Sequence, residues 1–518
     1  MEDRAPASGP AAWVRDHAWA VALGAIVVLV GAAQRRWVLD SVLGQADFDE
    51  ATVGVQAMRF THGHLEAFFL NQPYGGTLEP GLVAVVFKVF GSSTFALKVV
   101  PMALALAAAW LTRMVAVELR LSRTAQWCAP ILVWCGPAYA VLFSTKERGF
   151  YGVALVLSAA YLLLGLRLAR DPCRRDVVLL GACVGLGWWQ TPLTFAVAVP
   201  VVVWLLCIRP QVVRELLWAV PAALVAALPW LVWNAGHGWA SLKPASGFGT
   251  SYGDRYFDWM LRLQVVTGLE TPFDHTRTLV GFRWAGLVLL AVVLVLASIR
   301  TAWEAPGFLA AVILGYGGIY AINTLAAGVG ADPRYMYLMV PVVAVSFAAL
   351  LPEVQRDATR FAVGLAVLAL VTTSTAWGLS GTRDAAEVRH PNAFLASPGI
   401  ERVTRLLEAH GVEAAITDNS GMQLAFLSQG RVVGTSFAVP RLAAYEYQGR
   451  AAPKSTYVLD TTLLSNADTL RWWLTWKRIP FEEHTVGKYR VFFISKRVLP
   501  SDAHLVVFGG QLGASFDR

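Results

Sequence analysis

The chain has 518 residues, 56% of them hydrophobic and 15% charged, with a formal net charge of +8. Its mean hydropathy is +0.52. Soluble domains carry about a quarter charged residues and just under half apolar ones, so this balance excludes a disordered chain, a DNA-binding module and a purely soluble enzyme.

Apolar runs of membrane-spanning length recur from Ala18 to about Ser380 and predict a polytopic α-helical membrane protein. The expected spans are 18–36, 94–119, 124–143, 149–168, 177–190, 191–208, 215–233, 279–299, 304–325, 334–352 and 360–380, about eleven in all. The first runs into Arg35 and Arg36 with no small-residue cleavage pattern, and reads as a span rather than a signal peptide. Basic residues gather in alternate loops: Arg120 with Arg123, then Arg167, Arg170, Arg174 and Arg175, then Arg209, Arg214, Arg300, Arg356 and Arg360. The positive-inside rule places those loops in the cytoplasm, with Arg35 and Arg36 against the trend. The outer face then carries loops 37–93 and 234–278 and, because the span number is odd, everything after 380. The basic residues thus act as topology markers, and no compact basic patch with interleaved aromatics suggests nucleic acid. The five cysteines read as small buried hydrophobes.

Two domains are expected: a transmembrane domain over 1–380 and a small extracytoplasmic α/β domain over 381–518. In the second, Ile400–His410 is an amphipathic helix stopped by Gly411, and 468–476 reads as another helix. Residues 414–417, 431–434, 455–459 and 489–494 read as short strands. In the first outer loop, 49–63 and 79–90 have the apolar spacing of helices lying on the bilayer surface.

Four polar clusters stand out. Asp47, Asp49 and Glu50 lie within four residues, just after the first span. Such a group binds a cation, pairs with basic groups, supplies a base, or simply caps the helix that follows. The stretch Asn71 to Pro80 contains Tyr74, Gly75, Gly76 and Glu79, and suits either a substrate loop or a plain turn. Lys146-Glu147-Arg148 sets two cations around an acid, fit for a phosphate or for anchoring at the interface. Asp332-Pro333-Arg334-Tyr335 opens a span with an arginine on the outer side, where a lipid phosphate would explain it. Together they suggest one reaction: a carboxylate takes the proton of an acceptor hydroxyl while cations hold a departing phosphate. No GxGxxG or Walker pattern occurs in a strand–helix context, so the expected donor is a lipid-linked sugar phosphate.

The order of these features resembles the polytopic GT-C glycosyltransferases that use lipid-phosphate sugars, in particular the bacterial branch akin to protein O-mannosyltransferases and aminoarabinose transferases. The resemblance rests on Phe48-Asp49-Glu50-Ala51, on Gly63-His64-Leu65, on Gln72 to Pro80, and on Phe87 to Gly91 with Ser93 to Pro101. Weaker echoes are Lys146 to Tyr151, Gly187 to Pro192 and Asp332 to Tyr335. It implies a GT-C fold, Asp49 as the base and Glu50 beside it as catalytic residues. Asp47, Tyr74, Glu79, Lys146, Arg148, Arg334 and Tyr335 are the expected substrate-binding residues. Many relatives carry a lysine just before the proline where Glu79 stands. Either the phosphate is held by Lys146, Arg148 or Arg334, or Glu79 has another role.

The expected partners are a polyprenyl-phosphate-linked sugar, a protein, lipid or polysaccharide acceptor, and membrane lipid, with no nucleic acid. No complete metal-ligand set is legible, although the three acids can hold a divalent cation, magnesium or manganese. The alternatives are a lipid-linked sugar flippase or transporter, and a non-catalytic envelope-assembly subunit. Acids gathered at one face rather than at mid-span argue against transport.

Overall fold

The computed structural model describes residues 18–243, 250–272, 283–322, 334–388, 399–437, 440–462 and 465–505. Asp332 and Pro333 lie outside them. Helix α1 (Ala18–Asp40) is followed by two shorter helices, α2 (Phe48–Thr61) and α3 (Leu78–Phe90). Next come α4 (Thr94–Glu118), α5 (Arg123–Trp134), α6 (Ala138–Phe143), α7 (Tyr151–Arg170), α8 (Arg174–Gln190) and α9 (Phe195–Ile208). Among the described residues, four helices are long and apolar enough to cross a membrane: α1, α4, α7 and the helix that starts at Asp357. A fifth candidate is a pair, 212–226 with 228–236, bent by 57°.

The expected single span at 124–143 is broken into α5 and α6, because Gly136 and Pro137 interrupt the hydrogen-bond ladder. The run at 191–208 begins instead with a 3-10 turn, Pro192–Thr194, capped by the Thr191 hydroxyl. The helix Asp357–Val388 runs beyond the expected end at 380 and packs along α1 and α5. One apolar core, reaching from Leu23 to Leu368, unites these helices.

Residues 399–505 contain a five-stranded sheet with flanking helices. Its strands are β1 (Ala414–Thr417), β2 (Val433–Ser436), β3 (Thr456–Asp460), β4 (Phe481–Val486) and β5 (Tyr489–Ile494), in the order β2-β1-β3-β5-β4. β1 runs parallel to β2 and β3, while β5 is antiparallel to β3 and β4. The expected strand at 431–434 is shifted two residues on. Strand β4 and the helices Gly421–Leu427 and Ala443–Ala451 were not expected from the sequence.

This α/β part sits directly on the first loop. Val53, Ala57 and Phe60 of α2 are buried, and their neighbours include Met422, Ala425 and Phe426 rather than solvent. By contrast Val85, Val89 and Phe90 of α3 stay exposed. The docking is close: a Cβ at Gly54 would stand 2.4 Å from the Phe426 ring. Gly54→Ala is therefore expected to force the two surfaces apart, costing about 1–3 kcal/mol as overpacked sites do. The check is the melting temperature of the purified protein, together with faster proteolysis after residue 388. A variant as stable as wild type would show that the contact yields freely.

Candidate active site

Asp47 ends the α1–α2 connection as the N-cap of α2. Its carboxylate accepts the Glu50 N–H at 3.0 Å, and Glu50 Oε2 accepts the Asp47 N–H at 3.1 Å. This reciprocal capping box explains two of the three clustered acids locally. Both also reach further. Glu50, fully buried, pairs with Lys98 of α4 and, at 2.9 Å, with Lys146, and it accepts the Glu147 N–H at 3.2 Å. Asp47 takes Arg148 at 2.9 Å and Lys146 at 3.7 Å. Burial by itself raises the Asp47 carboxyl, but Arg148 and Lys146 outweigh it and hold it at about 2. Lys98 and Lys146 also donate to the carbonyls of Thr145 (3.1 Å) and Gln45 (3.0 Å).

Below this network lies a second pair of acids. Glu79, at the start of α3, accepts the N–H groups of Gly152 (3.2 Å) and Val153 (3.0 Å) and so caps α7 from outside. Glu147 is hydrogen-bonded to it and accepts the Gly149 N–H at 3.0 Å. Burial pushes Glu79 from 4.5 to about 7. Burial and the neighbouring Glu79 charge push Glu147 well above the ordinary carboxyl range. Glu79 accepts two backbone donors and Glu147 one, which favours the charged form on Glu79 and the neutral form on Glu147. Four buried carboxyl groups, Asp47, Glu50, Glu79 and Glu147, face three buried cations, Lys98, Lys146 and Arg148; with one of the four neutral, the set balances.

A pH effect follows. A carboxyl whose folded pKa is raised adds stability in full below its unfolded value and loses it as pH climbs through the folded one. The wild-type melting temperature is expected to fall as pH rises from about 4.5 through about 7, where Glu79 ionises, and to go on falling above it as Glu147 does. In Glu147→Gln, whose amide keeps the donor to Glu79, the slope should flatten with the fold intact. An unchanged slope would count against a shared proton.

Asp49 points the other way, into a cavity of about 810 Å³. Arg334 lies 3.4 Å from one of its oxygens and Arg441, from the α/β part, 3.9 Å from the other. Tyr74, Arg148, Tyr151, Tyr320, Arg334 and Tyr335 line the same cavity, with Lys243 at its edge. The loop carrying Tyr74 is fastened on both sides. Phe69 N–H bonds to Gly75 O at 2.7 Å, Gly76 N–H to Gln190 O at 2.9 Å, and Trp189 Nε1–H to Ala67 O at 2.8 Å. Gly75 has φ 77°, and a Cβ there would stand 2.6 Å from Phe150, so only glycine fits this turn. Tyr74 is half-exposed, and partial desolvation raises its hydroxyl above the usual value.

The structure thus brings Asp49, Tyr74, Arg148, Arg334 and Tyr335 to one cavity. Asp47, Glu50, Glu79 and Lys146 stand behind it in the buried network and do not line it. The three clustered acids diverge, two into the ion network and one into the cavity, so as a set they do not fit a divalent cation. Several residues were missed: Tyr151, Lys243 and Tyr320 of the cavity wall, and Lys98 and Arg441 beside it. Lys98 was visible as a lone charge within an apolar helix, which is a signal in itself. Arg441 gave none. Its guanidinium lies over the Phe48 and Phe69 rings, 5.1 and 5.3 Å from their centres, and donates to Leu70 O at 3.1 Å. Burial lowers its pKa, opposed by the Asp49 charge. A larger cavity of about 1250 Å³ lies on the α/β part, away from this cluster.

No family model matches the chain, and no curated protein matches it in sequence. Solved structures do. ArnT from Cupriavidus metallidurans in the apo state superposes with a TM-score of 0.61 over 93% of this chain and 98% of that one, at 11% identity. ArnT from the same organism bound to undecaprenyl phosphate gives 0.60 over 92% and 98%, at 13% identity. The chain has the GT-C fold of ArnT. An oligosaccharyltransferase from Archaeoglobus fulgidus superposes more loosely, with a TM-score of 0.48 over 87% of this chain and 69% of that one, at 11% identity. The expected fold class holds in that form, a helical membrane protein of ArnT-like architecture.

Proposed function

We propose that this chain is an integral-membrane glycosyltransferase that moves a sugar from a polyprenyl-phosphate donor to an acceptor hydroxyl on the outer face of the plasma membrane, with inversion. The observation that carries the reading is the charge pattern of the 810 Å³ cavity: among the described residues one carboxylate, Asp49, stands with Lys243, Arg334 and Arg441, while Arg148, paired with Asp47, also reaches the wall. An excess of fixed positive charge suits a phosphate, and a lone carboxylate suits a hydroxyl proton. The fold shared with ArnT, seen there with undecaprenyl phosphate, supports a lipid-linked donor.

In the proposed step the acceptor oxygen bonds to the anomeric carbon as Asp49 takes its proton. The carbon–oxygen bond to phosphate breaks, and polyprenyl phosphate leaves with the electron pair, its charge held by Arg334 and Arg148. Tyr74 and Tyr335 shape the sugar position. Glu50, with Asp47, Lys98 and Lys146, fixes the start of α2 and so the placement of Asp49; Glu79 fixes α7. These are positioning roles. The reading includes about eleven spans, a membrane domain to residue 380 and the α/β domain from 381 on the outer side.

The test compares a deletion strain with the same strain carrying the wild-type chain, by mass spectrometry of envelope glycans and polyprenyl-phosphate sugars. Loss of one glycoside, with accumulation of one lipid-linked sugar in the deletion strain, is the expected result. Identical pools in both strains would overturn the assignment and favour an assembly subunit. A shift of the lipid-linked sugar across the membrane without any glycoside change would favour transport.

A further inference from the structure

The α/β part holds a second cluster of ionisable side chains, remote from Asp49. His410 caps the C-terminal end of the helix Ile400–Ala409, and Glu482 and His484 lie on β4, the edge strand of the sheet. Residues two apart on a strand share a face, and that face is the one on which this helix packs. One donor atom from each of the three residues falls within 4.8 Å of the other two, and among the described residues this is the one such grouping of histidine, cysteine and carboxylate.

Two further features prepare the cluster for a ligand. The His410 ring lies flat on Phe493, 4.4 Å between centres and 16° between planes, and its Nδ1 contacts Leu406 O at 2.8 Å. A carbonyl on Nδ1 fixes the tautomer and leaves Nε2 as the acceptor, the arrangement that orients histidine ligands in metal sites. Phe493 pairs across the ladder with Glu482, so one aromatic ring underlies both elements. Glu482 Oε1 and His484 Nε2 meet at 2.6 Å, a contact that holds a proton between them.

We propose that His410, Glu482 and His484 bind a divalent transition-metal ion, zinc in the first instance, which ties the end of the helix to the edge strand. Two imidazole nitrogens and one carboxylate oxygen are a zinc donor set, and they select against magnesium and calcium, which take oxygen ligands. Three protein ligands leave a fourth position for water or a partner's side chain. The tie secures β4, which has a neighbour on one side only, and the sheet it ends carries the segment that delivers Arg441. The site does not depend on the transferase reading.

The test uses the full-length chain, purified in detergent without a histidine tag and stripped with EDTA. Zinc is titrated by calorimetry, and metal retained after desalting is counted by mass spectrometry. Wild type is expected to hold about one equivalent. His410→Ala and His484→Ala should each weaken binding by about 100-fold or more, beyond the loss of an outer-shell partner. His62→Ala, at an exposed histidine elsewhere, should bind as wild type does. If either alanine variant misfolds, Glu482→Gln, at a largely exposed side chain, decides instead. No retained zinc in wild type, or equal affinity in the cluster variants, overturns the proposal.

Discussion

Lys98→Met is expected to be among the most destabilising single substitutions in the membrane part. Lys98 is fully buried and donates to Glu50 and to Thr145 O, while Glu50 is fully buried as well. Methionine fills a similar volume, so packing changes little. What changes is charge: Glu50 keeps Lys146 alone, and the buried set becomes net negative. Breaking a buried pair by removing one partner costs about 3–5 kcal/mol, since the remaining charge stays desolvated. The readouts are folded yield and melting temperature in detergent. Pairing it with Glu50→Gln should recover part of the loss, because the two sites share one network and their effects do not add. The recovery stays incomplete, since Lys146 then loses its 2.9 Å partner. A Lys98→Met protein melting like wild type would show that Glu50 is not held as a charged group.

That network shows where sequence reasoning reached and where it stopped. The apolar runs announced the helices, and the Asp47-to-Glu50 spacing announced a cap, since both signals are local. The capping reading and the ion-pair reading of these acids had stood as alternatives; both hold, because one carboxylate serves its helix start and its cations at once. The partners themselves were not legible. Lys98 lies 48 residues from Glu50 and Arg441 comes from beyond all the apolar runs, so only the folded chain unites them. Strand β4 escaped notice because Glu482, Glu483 and His484 break the apolar alternation, as an edge strand exposed to water permits. The helix Gly421–Leu427 is too short for its period to show, and its burial comes from α2 rather than from its own sequence.

The largest effect on activity is expected from Asp49→Asn. The asparagine is nearly isosteric and sits on a helix whose cap and ion network lie in other residues, so the fold should persist. Among the described residues that line the cavity, Asp49 is the one carboxylate beside three cations, so none of those side chains is an acid that could take over the proton. Removing a general base costs about 10²–10⁴-fold in rate. Because the lost interaction belongs to the transition state, kcat and kcat/KM for the lipid-linked donor should fall together while donor KM stays close to wild type. Arg334→Met should behave differently. It removes charge from the end of the cavity proposed to hold the phosphate, so donor KM should rise as well as kcat fall, and Arg334→Lys should restore binding better than rate, a lysine being a point charge without the planar fork. The contrast separates chemistry from placement. If Asp49→Asn retained more than about a tenth of wild-type kcat, its loss would be smaller than any general base explains. Asp49 would then be a positioning partner of Arg334 and Arg441, and the proton would have to leave through substrate or water.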